Sequence, residues 1–168
     1  MAELIGGLSM STRSFSLTQA VARAALRKGR GLAVIDGDAK FDWTEFSDRI
    51  ARLSTAFAKL RLNDGGRVAV LALNGHQSLE CFYAAMHARG VIVPLNHRLS
   101  RHEISAQIAD CDPDIIVAGT EFSGLLEGLH SKPDGTPRAM IHCGQGHCPP
   151  SYLEFEDLVA SNLPGVDR

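Results

Sequence analysis

A chain of 168 residues is long enough for one domain with a real core. Its 17 Lys and Arg stand against 19 Asp and Glu, and the net charge of −2 gives no electrostatic reason to expect nucleic acid or an anionic membrane as partner. Hydrophobic residues at 45% and charged residues at 21% are those of a globular protein, and no apolar run approaches the roughly 20 residues of a membrane span.

Residues 1–15 read as a flexible N-terminus. The first thirty residues carry Arg13, Arg23, Arg27, Lys28 and Arg30 against the single acid Glu3, a bias that transit peptides share. The segment also reads as a surface helix whose basic last turn complements the helix dipole, and it runs unbroken into a hairpin. Ser16 is placed to cap a helix over Leu17 to Lys28, with Leu17, Val21, Ala24 and Ala25 on one face, ended by Gly29 and Gly31. "LAVIDGDAKFDW" holds two β-prone runs around Asp36, Gly37 and Asp38, a hairpin signal. Thr44 then caps a long helix whose buried stripe is Phe46, Ile50, Leu53, Phe57 and Leu60, with Asp48, Arg49, Arg52 and Lys59 away from it.

After the turn at Asn63 to Gly66, "RVAVLAL" has the continuous apolarity of a strand covered on both faces. A helix from Gln77 to Arg89 buries Leu79, Phe82, Tyr83 and Met86, and "VIVPL" is the next buried strand, with Pro94 suited to its end. Ser100 and Glu103 form a capping box for a helix that buries Ile104 and Ile108 and breaks at Pro113. "IIVAG" is a third strand, and Thr120 caps a short helix bearing Phe122, Leu125, Leu126 and Leu129. "AMIH" is a fourth strand, "CGQGHCPP" a loop, "YLEFEDLVA" a short helix, and 161–168 an unfinished linker. Strands alternating with helices at this spacing predict an α/β fold: a mainly parallel sheet, helices on both faces, and an N-terminal β-hairpin.

The four cysteines, Cys81, Cys111, Cys143 and Cys148, lack the spacing of a disulfide framework, so reduced thiols in a cytoplasmic setting are expected. "HCGQGHC" sets His142, Cys143, His147 and Cys148 in one loop, but the interleaved pairs do not match the separated ligand pairs of a zinc site. The reading taken is a glycine-rich connector with incidental thiols and no metal. No Walker loop, dinucleotide fingerprint or nucleophile elbow is present, and no complete catalytic set can be assigned. The strand ends place Asn74, Gly75 and His76, then Asn96, His97 and Arg98, on the C-terminal edge of the sheet. Asn74 reads as a helix cap. Arg98 is placed either to meet a phosphate or to form a salt bridge with Glu103 or another segment.

Several of these stretches together resemble the N-terminal part of the adenylate-forming acyl-CoA synthetase superfamily. Trp43, Thr44, Glu45 and Phe46 match its aromatic-Thr-x-Glu-hydrophobic helix start. Gly65 to Ala69 match its Gly-Asp-Arg-Val-Ala, and Val91 to Leu99 match its V-x-V-P-L-N-P-R-L, with His97 in place of the usual proline. The agreement in order and spacing runs over roughly residues 17 to 160. The resemblance implies that 16–160 is the N-terminal α/β subdomain of an AMP-binding enzyme that activates a carboxylic acid with Mg-bound ATP and passes the acyl group to CoA. It implies ATP, Mg²⁺ and CoA as cofactors of the intact enzyme and none held by this chain alone. Arg98 would be a contact to CoA phosphates. The partner would be the rest of the same enzyme, whose Ser/Thr/Gly-rich ATP loop and catalytic lysine lie downstream; the chain alone would be inactive and self-associate through exposed apolar surface. Two other readings stay open: a stand-alone α/β binding or interaction module, and a thiol or zinc module centred on Cys143 and Cys148.

Overall fold

The computed structural model describes residues 17–136 and 138–165. The expected N-terminus 1–15, the Ser16 cap and the last three residues of the expected linker lie outside them. Helix α1 spans Leu17–Lys28 and is followed by an antiparallel hairpin of β1 (Leu32–Asp36) and β2 (Ala39–Asp42). Then come α2 (Trp43–Lys59), β3 (Arg67–Leu71), α3 (His76–His87), β4 (Val91–Pro94), α4 (Arg101–Cys111) and β5 (Ile115–Gly119). A 3₁₀ turn over Thr120–Leu126 leads to β6 (Ala139–Cys143), β7 (Leu153–Glu154) and α5 (Phe155–Ser161). The main sheet has the order β4-β3-β5-β6-β7, and every neighbouring pair is parallel.

Alternation along the strands divides the core into two layers, because successive side chains leave opposite faces of a sheet. Val68, Val70, Ile115, Val117 and Ile141 pack with α2, α3 and α5, while Ala69, Leu71, Ile116, Ala118 and Met140 pack with α4 and Leu126 of the 3₁₀ turn. This is the expected α/β architecture, with helices on both faces and a hairpin beside them. Phe46, Ile50, Leu53 and Phe57 form the buried stripe of α2 as their spacing requires, while Leu60, expected to extend it, is the half-buried C-cap residue. Ser100 and Glu103 make the capping box of α4, which ends in left-handed backbone at Asp112 before Pro113.

Other expectations are corrected. The cap of α2 is Asp42, not Thr44: the Asp42 carboxylate accepts from Glu45 N at 2.8 Å, and the Glu45 carboxylate accepts from Asp42 N at 2.9 Å. Helix α3 starts at His76 and buries Glu80, Cys81, Ala84 and Ala85, while Leu79 is exposed and Phe82, Tyr83 and Met86 are half-buried. Small side chains let α3 lie close against α2, and interaxial distance follows the side chains at the contact. In α1 the buried residues are Thr18 and Val21, whereas Leu17 is exposed. Strand β4 is an edge strand with Val91 and Pro94 exposed, rather than a buried one; proline at its end withholds no ladder donor from a neighbour. "YLEFEDLVA" divides into β7 and α5, with Phe155 and Val159 buried.

Phe57 is fully buried. Phe57→Ala is expected to cost about 3–5 kcal/mol, and Asp42→Ala about 1 kcal/mol, read from the urea midpoint at unchanged slope.

Candidate functional site

The chain passes from β3 to β4 by way of α3 on one face and returns to β5 by way of α4 on the other. The direction of winding therefore reverses between β3 and β5, the place where open α/β sheets bind ligands. A crevice of about 150 Å³ lies there, lined by Leu73, Asn74, Gly75, Glu121, Cys143 and Gly144 among others. A larger hollow of about 470 Å³ opens among Lys59, Arg61, Lys132 and Arg138. It sits at the N-terminal ends of β5 and β6, where Lys132 and Arg138 already pair with Asp114 and Asp112. The switch-point edge is the better candidate.

One wall of that edge is a charge network. Glu80, fully buried on α3, receives Arg49 of α2 through Nε at 2.7 Å and Nη2 at 3.0 Å. The same Nη2 reaches both oxygens of Glu156 on α5 at 3.0 Å. Gln77 donates to Glu156 Oε1 at 2.7 Å and accepts from Gly144 N at 2.7 Å, joining α3 to the loop after β6. Asp36, at the hairpin tip, accepts from His76 N at 2.9 Å and lies 2.7 Å from His76 Nδ1. That contact caps α3 from another part of the chain; Gly75 at the cap position offers no side chain, and the exposed Asn74 is not the cap expected of it.

The electrostatics follow from these contacts. Burial pushes the Glu80 carboxyl up, and Arg49 pulls it part of the way back. Burial opposes the charge of Arg49, but Glu80 and Glu156 together outweigh it and hold the guanidinium above its ordinary value. Hydrogen bonding to His76 takes Glu156 down to about 2. His76 is raised by Glu156 and, after the opposing effect of burial, by Asp36; Asp36 is lowered by its hydrogen bonds to His76.

Beside this wall, β6 ends in a second polar group. His142 is fully buried, with Nδ1 at 3.1 Å from Glu154 Oε2 and Nε2 at 3.1 Å from Thr120 Oγ1. Thr120 donates to Gln145 O at 2.7 Å, so its hydroxyl ties down the glycine loop instead of capping the turn as expected. Strand β6 continues through Cys143, and alternation sends Cys143 to the α2/α3 face while His142 points to the other. Burial pushes the Cys143 thiol up to about 12. His147 is exposed. Of the four metal-capable side chains of "HCGQGHC", the fold brings His142 and Cys148 together, within 4.8 Å, and sends Cys143 and His147 elsewhere.

Arg98 follows β4 at the C-terminal edge and is exposed. Asn96 Oδ1 accepts from the Arg98 amide at 3.0 Å, and the neighbouring His97 ring lies 5.6 Å from that of Phe122. Glu103, a possible partner, is occupied by Ser100 N at 2.9 Å and Oγ at 2.7 Å. Among the described residues, the Arg98 guanidinium forms no ion pair. Sequence reasoning did not find Asp36, Arg49, Glu80, Glu154 or Glu156.

The fold is that of CoA-ligase chains. A Rhodopseudomonas palustris protein assigned as a long-chain-fatty-acid CoA ligase superposes with a TM-score of 0.81 at 23% identity, covering 94% of this chain and 40% of that one. A Mycobacterium tuberculosis fatty acyl CoA synthetase gives 0.76 at 21% identity, covering 91% and 30%. In sequence, a feruloyl-CoA synthase of Amycolatopsis sp is 31% identical over 107 residues, 64% of this chain and 22% of that protein. The AMP-binding enzyme family matches residues 21–157, and the chain belongs to that family. It spans about a fifth of the length of the curated relatives it matches.

Removing Arg49 strands Glu80. Arg49→Met is expected to cost about 3–5 kcal/mol in urea unfolding, because an uncompensated charge stays buried. The His76 contacts have a pH signature. A raised imidazole stabilises the fold below its ordinary value of about 6.5 and ceases to as pH rises through its folded value; the depressed Asp36 and Glu156 stabilise above about 4–4.5 and cease to as pH falls. The stability difference between the wild type and His76→Gln is therefore expected to peak between about pH 5 and 6.5, measured as urea midpoints against pH.

Proposed function

We propose that this chain is the N-terminal α/β unit of an acid–CoA ligase, an enzyme that joins a carboxylic acid to AMP from ATP and then transfers the acyl group to CoA. The observation that carries the reading is the match to AMP-binding enzymes over residues 21–157, together with the CoA-ligase relatives. In this reading 16–160 is the unit itself. ATP and Mg²⁺ are held by parts outside these 168 residues, which contain no Ser/Thr/Gly-rich phosphate loop. The carboxylates at the switch-point edge fit that assignment, since Glu80 and Glu156 are engaged by Arg49 and Asp36 by His76, and neither pair is left to bind a cation.

Arg98 is the residue assigned to CoA. Its guanidinium is exposed at the C-terminal edge with its backbone fixed by Asn96, and a planar cation there suits a phosphate. No helix among the described residues is long and apolar enough to cross a membrane, and the proposed setting is the cytoplasm. The isolated chain is proposed to self-associate through exposed apolar residues at the sheet edges, Val91 on β4 and Leu153 on β7. Light scattering on the isolated chain tests this; a strictly monomeric result counts against it.

The decisive experiment grafts residues 16–160 in place of the matching segment of the Amycolatopsis feruloyl-CoA synthase. The chimera is expected to retain ATP–pyrophosphate exchange, and the isolated chain to show none. Exchange by the isolated chain would refute the division of labour. In the chimera, Arg98→Ala is expected to raise KM for CoA about tenfold or more and leave adenylation unchanged, the loss of one charge-assisted hydrogen bond.

A further inference from the structure

His142 faces an acceptor on each side. Thr120 Oγ1 lies 2.7 Å from Gln145 O, so its proton is committed to that carbonyl and its oxygen accepts from His142 Nε2–H. Nδ1, the other ring nitrogen, faces Glu154 Oε2 at 3.1 Å and is the one left to meet an ion. His142 is fully buried and Glu154 half-buried, and the nitrogen and oxygen that face one another have room to share a cation, a proton or a metal ion. Cys148 completes the group: one ligating atom each from His142, Cys148 and Glu154 lies within 4.8 Å of the other two.

We propose that His142, Cys148 and Glu154 form a site for a divalent ion of the zinc class. Nitrogen, sulfur and carboxylate oxygen are the donors this ion takes, and three protein ligands leave one position open. Bonds of about 2.0–2.3 Å put ligand atoms around a tetrahedral zinc roughly 3.3–3.6 Å apart. The His142–Glu154 pair, at 3.1 Å, is already near that spacing, and Cys148 has to close from no more than 4.8 Å. The two anions match the double charge of the ion; the proton displaced from the Cys148 thiol leaves to solvent.

The surroundings are arranged as such a site needs. Thr120 holds the non-ligating nitrogen of His142, which fixes tautomer and ring orientation. Gly144 and Gly146 have φ of +99° and +127°, conformations that L side chains rarely adopt, and a Cβ at either would lie 3.0–3.1 Å from Thr120. The loop therefore wraps tightly over Thr120 and delivers Cys148 back to the end of β6. The ligand set differs from the one the sequence offered: Cys143 is replaced by Glu154, and His147 points to solvent.

The test is titration of the chelator-stripped chain with Co(II) and, separately, with Zn(II). One equivalent is expected to bind, Co(II) giving a thiolate-to-metal charge-transfer band and Zn(II) a melting temperature that rises with its concentration. Cys148→Ser is expected to abolish the band, Glu154→Gln to weaken binding about tenfold or more, and His147→Ala to change neither. A wild-type spectrum without the thiolate band overturns the proposal whatever the variants do. Persistence of the band in Cys148→Ser overturns it as well, and leaves a proton as the cation between His142 and Glu154.

Discussion

A carboxylate with no exposure to water has to be met inside the protein, and Glu80 is met by one guanidinium. Its idealised transfer from water would cost far more than a domain's whole stability, so the surrounding structure must keep Arg49 in place. Arg49 in turn fixes Glu156, and with it the approach of α5 to α2 and α3. Gln77 extends the same set of bonds to the loop after β6. The helices on that face are positioned by apolar packing, and this ionic centre ties α2, α3 and α5 to one another.

The parallel sheet supplies the other constraint. All five strands run the same way, so every loop that follows a strand arrives at one edge. The hairpin tip, the starts of α3 and α4, and the loop after β6 meet there without long connections. The same geometry separates neighbours in sequence. His142 and Cys143 are consecutive, yet they serve opposite layers of the core.

Much of the fold was legible from local pattern. The apolar runs of β3 and β5, the stripe of α2 and the Ser100–Glu103 box each state their role within a few residues, and repetition of strand and helix implies parallel pairing. Two features were misread because burial depends on the partner. Helix α3 offers Leu79, Phe82 and Met86 on one side and Cys81, Ala84 and Ala85 on another; the close approach of α2 selects the smaller set. Strand β4 is as apolar as a central strand but, among the described residues, has a neighbour on one side only. The site was less legible still. Arg49 and Glu80 are 31 residues apart and Arg49 and Glu156 are 107 apart, and no local rule pairs them. For Arg98, spacing alone left phosphate and salt bridge equally open, and its assignment to CoA rests on the family resemblance.

Asp36 has a role that extends beyond the hairpin in which it sits. Because its carboxylate closes the first turn of α3 from outside, that turn lacks its partner until the hairpin has docked. The two-stranded ribbon thereby acts as a latch on the helix that bears Glu80. Loosening the ribbon would unwind the start of α3 before disturbing the sheet, and amide exchange at His76 would register it first.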